Sequence, residues 1–395
     1  MYHLSPAPAD PILGLNDAFN ADPRSDKINL GVGVYKDEAG TTPIMAAVKT
    51  AEELLLASET TKSYLGIAGH PSLPKLAQAL LLGADHALLG DARVKTAQAP
   101  GGTGALRVAA DFIAKSNPEA TVWISNPTWA NHKAIFEAAG LKTAVYRYYD
   151  APSHGMDSAG FLEDLAKVDS KDVVVLHGCC HNPSGVDPDA AMWSQIATAA
   201  ENGGWLPLVD FAYQGFGAGL KDDRQGLLAL VEKNIPLLVA ASFSKNFGLY
   251  NERIGALTLI DVDGDSAEAA FSHVKISIRS NYSNPPSHGG SIVATVLQSD
   301  ELTAQWESEL TAMRSRIAQM RTGLTQGLAS RGVAQDFSFI ADQNGMFSFA
   351  GITPEQVDRL KDEFGVYAVR SGRINVAAIT PSNLNPLCDA IAAVL

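Results

Sequence analysis

Residues 236–260 read PLLVAASFSKNFGLYNERIGALTLI. Two short apolar runs, PLLVAAS (236–242) and GALTLI (255–260), enclose a polar segment that carries Ser242, Ser244, Lys245 and Arg253. Continuous apolar runs bounded by turns are the pattern of strands buried on both faces. A lone lysine in a loop is ordinarily a solvated charge. Here it leaves the end of a buried strand with two hydroxyls and a guanidinium for neighbours, which calls for a partner other than water.

The same pattern recurs outward from this stretch. TVWIS (121–125), VVVLH (173–177) and LPLVDF (206–211) are further apolar runs, separated mostly by stretches of helical spacing. Such alternation predicts an α/β layered domain built on parallel strands. One helix is expected to run to about Glu201, capped by Asp187 with Pro188 at its first position. Trp306, Leu310, Met313, Ile317, Met320, Leu324 and Leu328 fall on one face of a long helix. That pattern stops after three heptads, which favours a helix linking the sheet domain to a smaller C-terminal domain over a coiled coil. The proline-rich start, Ser5–Pro11, reads as an extended arm.

Polar residues gather after the apolar runs. Trp129 and His132 follow the first, Asn182 the second, and Asp210 ends the third, three residues before Tyr213. Ligands of open α/β sheets bind beyond the carboxyl ends of the strands, so these groups are expected to converge. Asp210 could be a cap or half of a salt bridge, or it could hold a proton on a heteroaromatic nitrogen, with His132 orienting it. APGGTGALRVAADFIAK (99–115) is a glycine-rich turn opening a helix, where free amides, the Thr103 hydroxyl and the helix dipole suit a phosphate. It lacks the lysine of a Walker loop, the glycine spacing of a dinucleotide fingerprint and a clearly patterned strand before it. Burial would lower the pKa of Lys245 and free its amine as a nucleophile. An aldehyde, a phosphate and a ring nitrogen on one molecule would occupy Lys245, the Gly102/Thr103 turn with Arg253, and Asp210; pyridoxal 5'-phosphate has all three. The cluster HGCCHNPSG (177–185) is not a metal site, because adjacent cysteines cannot take the spaced geometry of a zinc centre.

Composition narrows the classes. The 395 residues include 46% apolar and 18% charged residues, with a net charge of −13. That field repels nucleic acid and anionic lipid surfaces. Three cysteines, two of them adjacent, make no disulfide framework and point to a reducing compartment. No apolar run is long enough for a membrane span, and the N-terminus has neither signal-peptide nor transit-peptide character, so a cytoplasmic protein without metal is expected.

The motifs PADPILGL, INLGVGVYKDEAG, ETTKSYLGI, GGTGALR, NPTWANHK, HGCCHNPSG, DFAYQGF, SFSKNFGLYNERIG, SNPPSHGG, NGMFSF and SGRINVA stand in this order. In that combination the chain resembles, over nearly its full length, the aspartate aminotransferases of the class I aminotransferases. The resemblance implies the fold-type I α/β architecture: a large domain with a mainly parallel seven-stranded sheet covered by helices, and a smaller α+β domain. It implies an N-terminal arm over 1–12, a small domain over 13–42 and 306–395 (the latter including the linking helix), and a large cofactor domain over 43–305. It further implies a homodimer with active sites shared across its interface.

Carried over residue by residue, the resemblance makes Lys245 the lysine that holds pyridoxal 5'-phosphate covalently as a Schiff base and later moves the proton. Asp210, backed by His132, would pair with the ring nitrogen, and Tyr213 and Asn182 would bond the phenolic oxygen. Gly102, Thr103, Ser242, Ser244 and Arg253 would hold the phosphate, joined by Tyr64 from the other subunit. Trp129 would cover the ring. Arg373, with Asn182, Trp129 and the amide of Gly33, would bind the α-carboxylate, and Arg279 from across the dimer would bind the distal carboxylate. A guanidinium fork matches a carboxylate in shape as well as charge. The implied reaction is ping-pong exchange of the amino group between L-aspartate and 2-oxoglutarate. The alternative is dual specificity for tyrosine and phenylalanine, since aromatic enzymes of this subgroup keep both arginines. Ser184 and Phe243 depart from the commoner Thr and Tyr without removing a cofactor contact, while Asn246 and LYNER favour the aspartate type. A decarboxylase or lyase on the same fold and a non-catalytic sensor are the rivals that products and isotope exchange would separate.

Overall fold

The computed structural model describes residues 13–395; the expected arm, residues 1–12, lies outside the described residues. Two compact units are present. One comprises residues 43–182 and 186–314; the other comprises the described residues up to Thr42, then 183–185 and 315–395. The division falls inside a single helix, Asp300–Ser330.

The larger unit is built on a seven-stranded sheet in the spatial order Val94–Ala99, Gly255–Ile260, Leu237–Ser242, Leu206–Phe211, Val173–His177, Thr121–Asn126, Lys142–Arg147. Gly255–Ile260 runs antiparallel to both neighbours and the remaining pairings are parallel. The mainly parallel sheet and the fold class thus follow the sequence expectation. Register decides where the polar strand ends fall. His177 lies opposite Asp210, Asp210 opposite Ala240, Ser242 opposite Gly255, and Gly255 opposite Ala99. Four strand ends and the turn after Ala99 therefore share one edge.

The helix Gly101–Ser116 covers this sheet with Ala105, Leu106, Val108, Ala109, Ala110 and Ile113, all buried. Its small residues let the backbone approach closely. At Gly255 a Cβ would come within 2.6 Å of both Ala241 O and the Gly101 carbonyl carbon, so no side chain fits there. Burial of each large apolar side chain in this layer contributes about 2 kcal/mol.

Two strands escaped the sequence pattern. Val94–Ala99, directly before the glycine turn, corrects the expectation that no clear strand precedes it. Its sequence VKTAQA breaks the apolar run because its buried polar groups are paired: Thr96 Oγ1 lies 2.9 Å from Thr258 Oγ1, and Gln98 Nε2 donates to Pro286 O at 2.8 Å. Lys142–Arg147 is an edge strand with Lys142, Val145 and Arg147 exposed, so its signal is broken too. The helix after HGCCHNPSG is Ala190–Gly203, capped by Asp189, which accepts from Met192 N at 2.7 Å. Asp187 does not cap it. Its carboxylate accepts instead from Cys180 N and His181 N, each at 2.8 Å, and so closes the loop ahead of the helix.

In the smaller unit Ile28–Asn29 pairs parallel with Val366–Tyr367, and Phe347–Phe349 antiparallel with Arg373–Asn375. Helices Pro354–Phe364 and Pro381–Val394 both begin with capping boxes, from Thr353/Gln356 and Thr380/Asn383. Arg316 and Arg321 are buried and donate to main-chain carbonyls, Arg316 to Ile379 O and Ala377 O, Arg321 to Ile340 O and Gly345 O. The helical face expected from Trp306 to Leu328 is buried at all seven positions. No helix among the described residues is long and apolar enough to cross a membrane.

One carboxylate carries much of the loop after Phe211. Asp223, 7% exposed, accepts from Gly215 N at 2.7 Å, Gly217 N at 3.0 Å and Ala218 N at 2.7 Å. Replacing Asp223 by Ala strands these amides and is expected to destabilise the protein by about 3 kcal/mol in chemical denaturation.

Candidate active site

The shared edge of the sheet gathers most of the expected groups. Asp210, 8% exposed, accepts from His132: Nε2 lies 3.0 Å from Oδ2. Burial pushes the Asp210 carboxyl up, but the His132 hydrogen bond, the His132 and His177 rings and the Lys245 charge outweigh it, leaving the carboxyl below its ordinary value. Lys245 leaves the adjacent strand with its Nζ 4.9 Å from the centroid of the Tyr213 ring. Burial lowers its pKa to about 8, with Asp210 opposing the shift and Arg253 adding to it. The amine is thus half neutral at about pH 8, where the Asp210 carboxylate stays ionised.

The glycine turn supplies the next component. Gly101 has φ +75°, and a Cβ there would meet Arg253 Nη2 at 2.6 Å; one on Gly102 would meet Ser242 Cβ at 3.1 Å. The helix that starts here has no side-chain cap, so the amides of its first turn remain for a ligand. Ser242 and Ser244 are buried beside it, with Ser244 N donating to Ser242 Oγ at 3.3 Å. Gly102 and Thr103 lie in that first turn.

Trp129 packs edge-on against His132, centroids 5.4 Å apart, and Asn182 is buried in the loop after Val173–His177. The remaining expected residues lie elsewhere. Gly33 and Arg373 belong to the smaller unit, where Arg373 stacks over Phe347 at 4.3 Å and donates to Gly31 O at 2.6 Å. Tyr64 is 94% exposed, and Arg279, also exposed, donates to Ser283 Oγ. Among the described residues no hydrogen bond or ion pair joins either to the Lys245–Asp210 group.

The structure adds residues that the sequence did not single out. Thr128 Oγ1 bridges His132 Nδ1 at 2.8 Å and His177 Nε2 at 3.2 Å. Ser125 Oγ lies 3.0 Å from His181 Nε2, and Tyr148 stacks on His181 with centroids 3.9 Å apart. Burial drives the His177 pKa down to about 3, helped by His132 and opposed by Asp210, and drives His181 well below its ordinary range. Both rings are neutral at working pH. Their only sequence signal was histidines flanking the cysteine pair, and no group of three or more His, Cys, Asp or Glu among the described residues could hold a metal.

Residues 25–391 match the family described as "Aminotransferase class I and II". The chain belongs to that family. It is 56% identical over 393 residues to the aspartate aminotransferase of Salmonella typhi, covering all of this chain and 99% of the relative. An aromatic-amino-acid aminotransferase from Burkholderia pseudomallei, solved covalently bound to pyridoxal phosphate, is 49% identical with a TM-score of 0.97, covering all of this chain and 98% of that one. The cytoplasmic aspartate aminotransferase of Saccharomyces cerevisiae is 39% identical, also with a TM-score of 0.97, covering 99% and 97%. Class I aminotransferases depend on pyridoxal 5'-phosphate, and the residues fit that group. The uncapped helix start between Arg253 and Ser242 would accept its phosphate, the depressed amine of Lys245 its aldehyde, and the ionised Asp210 its protonated ring nitrogen.

In the cofactor-free aminotransferase, acylation of Lys245 by an amine-directed reagent, followed on its peptide by mass spectrometry, is expected to have a pH midpoint near 8. Exposed lysines should titrate about two units higher. Replacing His132 by Leu removes a charge-assisted hydrogen bond from Asp210. The acid limb of the pH–rate profile should then move up by about one unit or more.

Proposed function

We propose that this aminotransferase exchanges the amino group between L-aspartate and 2-oxoglutarate, giving oxaloacetate and L-glutamate by a ping-pong mechanism. The observation that carries the reading is the pairing of a lysine amine with a pKa of about 8 and a buried, His132-held carboxylate on adjacent strand ends. Identity to the Salmonella relative exceeds that to the aromatic one, which supports aspartate as the donor. Dual specificity for tyrosine and phenylalanine is the second reading, supported by the 49% identity to the Burkholderia enzyme, above the 39% to the Saccharomyces aspartate enzyme.

Bound pyridoxal 5'-phosphate supplies an aldehyde for condensation with amines and a ring that draws electrons from the bond to the substrate Cα hydrogen. Lys245 Nζ, neutral above its depressed pKa, would accept the Cα proton and deliver it to the former aldehyde carbon of the cofactor. Asp210 keeps the ring nitrogen protonated, and His132 keeps Asp210 ionised and oriented. Tyr213 and Asn182 would bond the phenolic oxygen. Gly102, Thr103, Ser242, Ser244 and Arg253 would hold the phosphate, and Trp129 would cover the ring. Arg373, with Asn182, Trp129 and Gly33 N, binds the α-carboxylate.

The reading includes a cytoplasmic homodimer in which Tyr64 and Arg279 of the partner subunit complete each site, as their exposure in the single chain supports. The division into a cofactor domain over 43–305 and a small domain from 13–42 and 306–395 is part of the same proposal.

The test is a set of kcat/KM values for aspartate, glutamate, tyrosine and phenylalanine, each with 2-oxoglutarate as acceptor. Wild-type protein should favour aspartate. Arg279→Leu should lower the aspartate and glutamate values about 100-fold or more, as expected for an unpaired carboxylate in a closed site, and the phenylalanine value much less. Equal losses on all four donors would place distal carboxylate recognition elsewhere.

A further inference from the structure

Three residues at the start of the helix Asp300–Ser330 hold both loops that carry the reacting pair. Trp306, fully buried, donates Nε1 to Asn246 O at 2.6 Å and stacks on Phe247, with centroids 4.4 Å apart and planes inclined by 14°. Asn246 directly follows Lys245. One turn along, Leu310 fills the space over Gly215: a Cβ on that residue would come within 2.3 Å of Leu310 Cδ2, and its φ of +99° suits only glycine. A further turn along, Arg314 donates Nη1 to Gly215 O at 2.8 Å. Gly215 lies two residues beyond Tyr213. The loops are also tied to each other, since Asn246 Nδ2 donates to Gln214 O at 3.3 Å.

We propose that the helix face Trp306–Leu310–Arg314 is a positioning template that sets Lys245 against Tyr213, with Trp306 and Arg314 acting on the reaction without touching it. The spacing of four residues puts all three on one face, and a helix rising 1.5 Å per residue fixes their separations at about 12 Å from first to last. Lys245 and Tyr213 follow different strands, Leu237–Ser242 and Leu206–Phe211. Sheet register alone therefore does not fix the loops beyond them. Lysine has a long, flexible side chain, so its amine is placed only as well as its backbone. A misplacement of about 1 Å in a proton-transfer group can cost up to about 100-fold in rate. This inference rests on the assignment of Lys245 as the reactive lysine.

Two variants separate positioning from folding. Trp306→Phe keeps a ring against Phe247 and removes the N–H donor; Arg314→Met keeps an apolar stem and removes the guanidinium. In cofactor-free protein each should raise the acylation midpoint of Lys245 from about 8 toward the ordinary 10.5, because a loosened loop admits water around the ammonium. In the loaded enzyme kcat should fall about ten-fold or more with little change in KM for aspartate, and Arg314→Lys, which restores a donor, should recover part of the loss. Unchanged midpoint and kcat in both variants, or activity lost only in proportion to the unfolded fraction seen by circular dichroism, would overturn the template. Lys245→Ala distinguishes the two failures. If it retains transamination, the lysine assignment is wrong; if it is inactive while Trp306→Phe and Arg314→Met behave as wild type, only the template is wrong.

Discussion

An amine and a carboxylate are withdrawn from water at the ends of two neighbouring parallel strands, and the rest of the larger unit is organised around keeping both there. Burial pushes the Asp210 carboxyl up, but the His132 hydrogen bond, with the neighbouring rings and the Lys245 charge, holds it below its ordinary value. Burial without a fixed proton partner lowers the Lys245 pKa to about 8, so the amine is largely available at a pH where an exposed lysine is not. Both pKa values fall, yet the effect on charge is opposite: the hydrogen bond from His132 favours the ionised Asp210, while burial of Lys245 favours its neutral amine. Separating acid from base in this way is how a protein runs proton chemistry near neutral pH.

Holding such groups demands a stiff frame. The parallel register sets His177, Asp210 and Ala240 in one row, and the antiparallel strand Gly255–Ile260 brings the glycine turn to the same edge. Close approach of the Gly255 backbone to Gly101, and of the Arg253 guanidinium to Gly101, excludes side chains from both glycines and sets the helix start against the strand. Behind the carboxylate, Thr128 and two neutral histidines extend the polar network without adding charge to a dry interior. Asp223, gathering the amides of the loop after Phe211, and the helix face from Trp306 to Arg314 fix the loops that the sheet leaves free.

Much of this was legible along the chain because it depends on local pattern. Apolar runs ending in Asp210 or Ser242 announce buried strands with polar tips, and the interval from Trp306 to Leu328 announces a helix with one buried face. What escaped did so for physical reasons. VKTAQA hides a strand because Thr96 and Gln98 are paired across the core, and such pairing leaves no trace in hydropathy. Asp187 has the sequence context of a cap, yet its carboxylate is captured by Cys180 and His181, a choice made by the path of the loop.

The sequence by itself determined the alternation of strands and helices, the reactive residue types at the strand ends and the family, since each is a matter of order and spacing. Tertiary structure decided which of those residues meet. The hydrogen bond from His132 to Asp210 spans 78 positions, and the one from Trp306 to Asn246 spans 60. Such contacts depend on register and on the close packing of a helix over a sheet, and distance along a chain does not encode either.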